Sequence, residues 1–296
     1  MRNKGGMPVS DEITIEKGPM LGAWREGVNA ARNMTGSIHD NAMAQRIGMR
    51  GGTVAGTVHL DLFAPLVQKA FGKSWFEQGS VSMFYTFATL DKEEIRLVMD
   101  EPPKGKKAAQ VKAHVEMHDG KVVMEGTVAV GDSKEPTRLQ NVEMKDAPHE
   151  ELRILAGIHV GEEIGPKDVI ATPESVQGRF ENLEDTIDWY KDASPWGPPI
   201  VPLSSLFGLI HIYPNQSFKA VPFFGATEIR IYNGPAKVGV QYRAVNKIKC
   251  IGTGGRTEFF WVDGWLYEKG SDKLVATMRH LNRYMKAGSP LYPEIK

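Results

Sequence analysis

Six residues of this chain have the types and surroundings to do chemistry. His39 and Asp40 stand together in Ile38-His39-Asp40-Asn41. Gly56 and His59 fall at the head of an apolar helical stretch, Tyr85 lies in Phe84-Tyr85-Thr86-Phe87, and Asp192 ends Trp189-Tyr190-Lys191-Asp192. An imidazole takes and returns a proton near neutral pH, and a nearby carboxylate can share that work. A helix N-terminus adds unpaired N–H groups and partial positive charge, and a glycine there lets a carbonyl oxygen come close to the backbone. Gly56 is therefore the candidate donor to a developing oxygen anion, and His59 can reach the same mouth. Each residue also has a plainer reading. A His-Asp pair beside a turn is a common solvated cap, and a histidine near a helix start often packs on a loop. Tyr85 also reads as a strand residue with a polar tip, and residues 189–192 as a loop anchored by two aromatics.

Other chemistries find no support. Gly72-Lys73-Ser74 looks like the end of a phosphate loop, but Val67 stands where the first glycine is needed and a helix precedes it rather than a strand. Gly252-Thr253-Gly254-Gly255 joins two strand patterns and reads as a hairpin, not a dinucleotide fingerprint. There is no Gly-x-Ser-x-Gly elbow. His114 and His118 have no third ligand nearby in sequence, and Cys250 is the only thiol, so neither a metal nor another cofactor is expected.

The elements that must position the candidates come in two similar series. Residues 94–99, 111–117 and 121–130 predict strands. Val111, Ala113, Val115 and Met117 alternate with polar residues, and Asp119-Gly120 suits a tight hairpin. A second series of strands is predicted over 227–232, 237–245, 247–252, 257–268 and 273–285. Each series follows one helix. Residues 61–71 carry Leu62, Phe63, Leu66, Val67, Ala70 and Phe71 on one face, with Asp61 as N-cap and Gly72 as the stop, or else the helix starts near Gly56 and kinks at Pro65. Residues 203–212 predict a shorter one. Loop, helix and meander thus occur twice, around 30–130 and 185–287, with a Pro-, Gly- and charge-rich connector at 131–177. The reading is an α+β chain of two repeats, 1–148 and 149–296, each a central helix wrapped by an antiparallel sheet and closed against the other as an internal pseudo-dimer.

The 296 residues suffice for two such cores. With 36 basic and 36 acidic residues there is no positive field to attract nucleic acid or an anionic membrane. The start, residues 1–12, has no apolar core of a signal peptide, and no membrane-length apolar run follows. One cysteine fits a reducing compartment, so a cytoplasmic location is expected. The aromatic content of the C-terminal strands adds the expectation of a homodimer or other homo-oligomer.

The pattern resembles the hotdog fold, and within it the MaoC-like or hydratase-2 type enoyl-CoA hydratases in their double-hotdog arrangement. That family's motif runs Asp-x-Asn-Pro-x-His, an Ala, then Gly-Phe-x-x-Pro-Ile-Ala-His-Gly at the mouth of the central helix. Ile38-His39-Asp40-Asn41, Ala44, Gly48-Met49 and Gly56 follow a similar order, with the Gly48-to-Gly56 spacing kept. The motif Asp falls on Met34, its Pro on Ser37, and the His before the glycine on Ala55. Asp192-Ala193-Ser194-Pro195-Trp196 resembles the first part of the motif in the second repeat, but Gly197 stands at the His position. The resemblance implies a hydratase or dehydratase adding or removing water at the 2,3-double bond of an acyl-CoA or related activated acid. His39 would activate water, Asp40 or Asp192 would be the substitute carboxylate, and Tyr85 would line the acyl tunnel. An acyl-CoA thioesterase, or an acyl-thioester-binding protein without catalysis, are the alternatives that the broken motif leaves open.

Overall fold

A computed structural model describes residues 14–15, 18–182 and 186–295. The stretch read for a leader, 1–12, lies outside the described residues. In chain order the elements are β1 (Thr14–Ile15), β2 (Met20–Leu21), β3 (Arg25–Glu26), α1 (Asn41–Arg46), α2 (Gly56–Leu60), α3 (Phe63–Phe71), α4 (Lys73–Gln78), β4 (Gly79–Tyr85), β5 (Glu94–Met99), β6 (Ala109–Met117) and β7 (Val122–Val130). There follow β8 (Glu163–Ile170), α5 (Pro173–Phe180), α6 (Leu203–Ile210), β9 (Pro222–Ile231), β10 (Gln241–Thr253), β11 (Thr257–Glu268) and β12 (Leu274–Met285). Among the described residues, no helix is long and apolar enough to cross a membrane.

The duplication is visible in the strand order. Outward from the centre, the first half runs β4, β7, β6, β5 and the second runs β9, β12, β11, β10. In each half the first strand after the helix is therefore followed by the fourth, third and second. The two halves join where β4 pairs antiparallel with β9, Met83 opposite Thr227, which makes one continuous twelve-stranded sheet. The two innermost strands thus cover each other's edges. The sheet wraps α2, α3 and α6, whose Leu60, Phe63, Leu66, Leu206 and Ile210 are buried against its inner face. Full burial of side chains of this size stabilises by roughly 1.5–3 kcal/mol each.

Four expectations need correction. The first-half helix is broken rather than continuous, with α2 ending before Asp61 and α3 starting after Leu62. Asp61 does not cap α3. Its carboxylate accepts the N–H of Ser204 in α6 at 2.9 Å. The strand pair expected at 237–245 and 247–252 is the single strand β10, running through Asn246. Asn246 looks like a turn residue, but its amide donates to the Ile210 carbonyl and accepts from the Ile212 N–H, each at 2.7 Å, so it ties the end of α6 to the sheet. Finally, the connector contains β8, an edge strand on β10, and α5, whose N-cap Thr172 accepts the Ser175 N–H. Within the connector the N–H groups of Arg153, Ile154 and Leu155 donate to Glu258 of β11, which is fully buried and also accepts the Tyr292 hydroxyl.

Candidate active site

The site begins with a close approach of two backbone segments. Residues 38–39 run beside 52–53, where the Thr53 N–H donates to the Ile38 carbonyl at 2.9 Å. A Cβ on Gly52 would lie 2.3 Å from the His39 carbonyl oxygen, so only glycine permits this pairing. The pairing fixes the His39 ring, whose Nδ1 donates to the Thr53 carbonyl at 2.7 Å. That bond assigns the proton to Nδ1 and leaves Nε2 as the lone-pair nitrogen, and His39 lines a cavity of about 630 Å³. A volume of this size is in the usual range for small-molecule sites.

Gly56 opens α2 on the same wall, after an N-cap, Ala55, that offers no side-chain acceptor to the helix. Its glycine character is set by space. A Cβ there would come within 3.0 Å of the Tyr85 ring and 3.1 Å of the Phe224 ring. Tyr85, on the inward-facing alternation of β4, bonds through its hydroxyl to Thr227 at 3.3 Å, and Thr227 to His280 Nδ1 at 2.8 Å. Burial raises the Tyr85 pKa, so the phenol stays protonated. His59 is buried with Nε2 at 2.9 Å from the Thr89 hydroxyl, and burial lowers its pKa to about 4.

His39, Gly56, His59 and Tyr85 thus come together on one cavity, while the two aspartates do not. Asp40 is the N-cap of α1, accepting from Ala42 at 3.0 Å and from Gly36 at 3.1 Å. A side chain holding two backbone N–H groups is occupied as a cap, and Asp40 is not part of the cavity wall. Asp192 lies exposed in the loop before α6, also off the wall. Its aromatic neighbours Trp189 and Trp196 pack instead around Phe76. No Asp or Glu among the described residues lines this cavity.

The second repeat contributes residues that the sequence reading missed. His211, just past α6, and Asn282, on β12, line the cavity with Phe207 and Phe224. The Asn282 amide donates to His211 Nε2 at 3.1 Å, and the His211 ring stacks on Phe207 with centroids 5.1 Å apart. Burial lowers the His211 pKa to about 4, and lowers that of His280 still more clearly, with a further contribution from His211. A signal for Asn282 existed. On β12 the inward series Ala276, Met278, His280, Asn282, Tyr284 places two polar side chains where apolar ones are expected. Arg179, on α5, is the cation on the wall.

No family model and no curated protein matches the sequence. Solved structures do match in shape. A protein of Chloroflexus aurantiacus assigned as a MaoC domain dehydratase is 13% identical, with a TM-score of 0.60 over 90% of this chain and 93% of that one. A conserved protein of Mycobacterium tuberculosis described as having a double hotdog fold is 11% identical, with a TM-score of 0.56 over 94% and 98%. A MaoC-like dehydratase is 12% identical, with a TM-score of 0.50 over 91% and 97%. With the same strand order in both halves and β4 joined to β9, the chain has the double-hotdog fold described for the Mycobacterium tuberculosis protein.

Proposed function

We propose that the chain is a hydro-lyase that interconverts 3-hydroxyacyl and 2-enoyl thioesters of the coenzyme A type, with His39 as its single acid-base group. The observation that carries this reading is the His39 ring, pinned through Nδ1 on the Thr53 carbonyl, on the wall of the cavity onto which the head of α2 opens. Two proteins of similar fold that are described as dehydratases support it.

In the dehydration direction the thioester oxygen accepts the Gly56 N–H, which stabilises the enolate as charge develops. His39 Nε2 removes a proton from the α-carbon, and the enolate electrons form the 2,3-double bond as the 3-hydroxyl leaves. The imidazolium returns the same proton to that hydroxyl, so one water departs and His39 ends neutral. Hydration is the reverse. Because both proton transfers pass through one imidazole, they take place on the same face of the substrate. Tyr85, kept protonated by burial, lines the same cavity against Gly56, and Arg179 on its wall offers a charge to the phosphates of the carrier.

Thioester hydrolysis in a site of this kind needs a carboxylate to position water, and none lines the cavity among the described residues. The test is mass spectrometry of the protein incubated with saturated, 2-enoyl and 3-hydroxyacyl CoA thioesters. Gain or loss of one water is expected. Free CoA thiol would move the assignment to a thioesterase, and an unchanged panel would leave a binding protein.

A further inference from the structure

Gly56 and Gly208 line the cavity for opposite reasons. At Gly56 there is no room for a Cβ, which would press on the Tyr85 and Phe224 rings. At Gly208 of α6 there is only room: apart from its chain neighbours and its own helix backbone, a Cβ would meet no atom within 4 Å. Nor does the backbone call for glycine. Gly208 lies inside α6, ahead of the C-cap His211, and its φ is not positive. Glycine is the least favourable helix residue after proline, and an alanine would fit this position without a steric cost. Every other residue of α6 is buried, and Gly208 alone is exposed. Phe207, Gly208 and His211, at the i, i+1 and i+4 spacing of one helix face, bring α6 onto the cavity wall. Beside the stacked rings of Phe207 and His211 the helix backbone is therefore bare. The wall from the second repeat is otherwise mainly aromatic, with Phe207, Phe223 and Phe224, so the occupant it suits is apolar.

We propose, on the basis of the reaction assigned above, that Gly208 is a specificity-determining position: the apolar acyl group of the thioester lies against the α6 backbone there, and the size of residue 208 sets how large an acyl group the cavity admits. The glycine gives up helix stability, and substrate fills the space that a side chain would otherwise take. Each substrate carbon displaced from that space loses its favourable transfer out of water. A larger residue at 208 should then stabilise the fold and weaken the hold on substrate, a combination that a merely structural glycine does not produce.

The experiment measures binding, not turnover. Two unreactive thioethers, S-ethyl-CoA and S-octyl-CoA, are titrated calorimetrically into the full chain and into Gly208→Ala and Gly208→Leu, which introduce good helix formers. Gly208→Ala should raise Tm by about 2 °C and weaken S-octyl-CoA binding by about threefold. Gly208→Leu should weaken it by about tenfold or more, the worth of two displaced methylenes, and leave S-ethyl-CoA within about twofold. Gly178, inside α5, is also exposed with open space at its Cβ but lies off the cavity wall. Gly178→Ala should therefore raise Tm alike and leave both affinities within about twofold. Melting curves identify the folded variants, and either Gly208 variant that remains folded suffices. An unchanged S-octyl-CoA affinity in such a variant overturns the inference, as does an equal loss for both thioethers, which would put Gly208 against the carrier. A size-dependent loss with no water exchange on any thioester retains Gly208 and removes the hydro-lyase. Water exchange with no dependence on residue 208 does the reverse. S-octyl-CoA that does not bind the unmodified protein overturns the inference, and without water exchange it removes the hydro-lyase as well.

Discussion

The carboxylate of Asp61, at the end of one central helix, accepts the N–H of Ser204 in the first turn of the other at 2.9 Å. The two helices of the pseudo-dimer are therefore not equivalent. The head of α6 is filled by a side chain of the first repeat, while the head of α2 opens on the cavity at Gly56. Duplication has left one helix mouth for a ligand and made the other a tether between repeats.

That tether sets a pH dependence. Burial raises the Asp61 pKa from 3.8 to about 6, against the lowering effect of the Ser204 bond and of Arg179. The folded protein then holds a proton that the unfolded chain releases between pH 3.8 and about 6, so this contribution to stability is lost as pH rises through that window. Its size is roughly 3 kcal/mol. Asp61→Asn keeps an oxygen for the Ser204 N–H and carries no charge. Urea unfolding should find it up to about 3 kcal/mol more stable than the unmodified chain at pH 8, with the difference closing toward pH 4. A variant no more stable at pH 8 would mean that Arg179 offsets the buried charge of the carboxylate.

His39→Ala removes the proposed base and leaves the backbone pairing of 38 with 53 intact. Turnover of a 3-hydroxyacyl thioester should fall by about 10³-fold, within the range for loss of a general acid-base group. Stability should change by only about 1 kcal/mol, the worth of the hydrogen bond to Thr53. Steady-state kinetics beside a denaturation curve checks both, and turnover within a few-fold of the unmodified protein would remove His39 from the mechanism.

Gly56→Ala tests the helix mouth by size alone. The added methyl would press on the Tyr85 and Phe224 rings, at 3.0 and 3.1 Å. Overpacking of this kind destabilises by about 1–3 kcal/mol. Since the displaced rings line the cavity, kcat/KM should drop by about tenfold or more even where the protein stays folded. An unchanged kcat/KM would put the reacting carbonyl elsewhere.

What was legible in the sequence follows from physical range. Strand β6 shows in its alternation because it has one covered face, and His39, Gly56, His59 and Tyr85 belong to one repeat and fall on one cavity. Strand β8 is an exposed edge carrying Gly165-Pro166 and charged side chains, so it has the composition of a connector. His211 and Asn282 meet the first repeat through the packing of α6 on α2 and the pairing of β4 with β9, contacts between residues about 140 positions apart that no local pattern reports. Asp40 and Asp192 were selected for charge beside a motif, and charge alone does not distinguish a cap or an exposed loop from a cavity wall.

The buried histidines give the chain a second pH dependence, opposite in sign to that of Asp61. Burial lowers His59 and His211 from 6.5 to about 4, so the folded state refuses protons that the unfolded chain accepts. Their contribution is complete above pH 6.5 and is lost as pH falls toward 4. Between pH 7 and 5 each removes about 2 kcal/mol, while Asp61 returns about 1 over the same interval, so the net loss is roughly 3 kcal/mol before His280 adds to it. Urea unfolding at pH 7 and pH 5 measures the loss directly. His59→Gln retains a partner for the Thr89 hydroxyl and cannot ionise, so its loss should be smaller by about 2 kcal/mol. An acid sensitivity equal to that of the unmodified chain would show that His59 is protonated in the folded state, and that the cavity beside it is wetter than its burial implies.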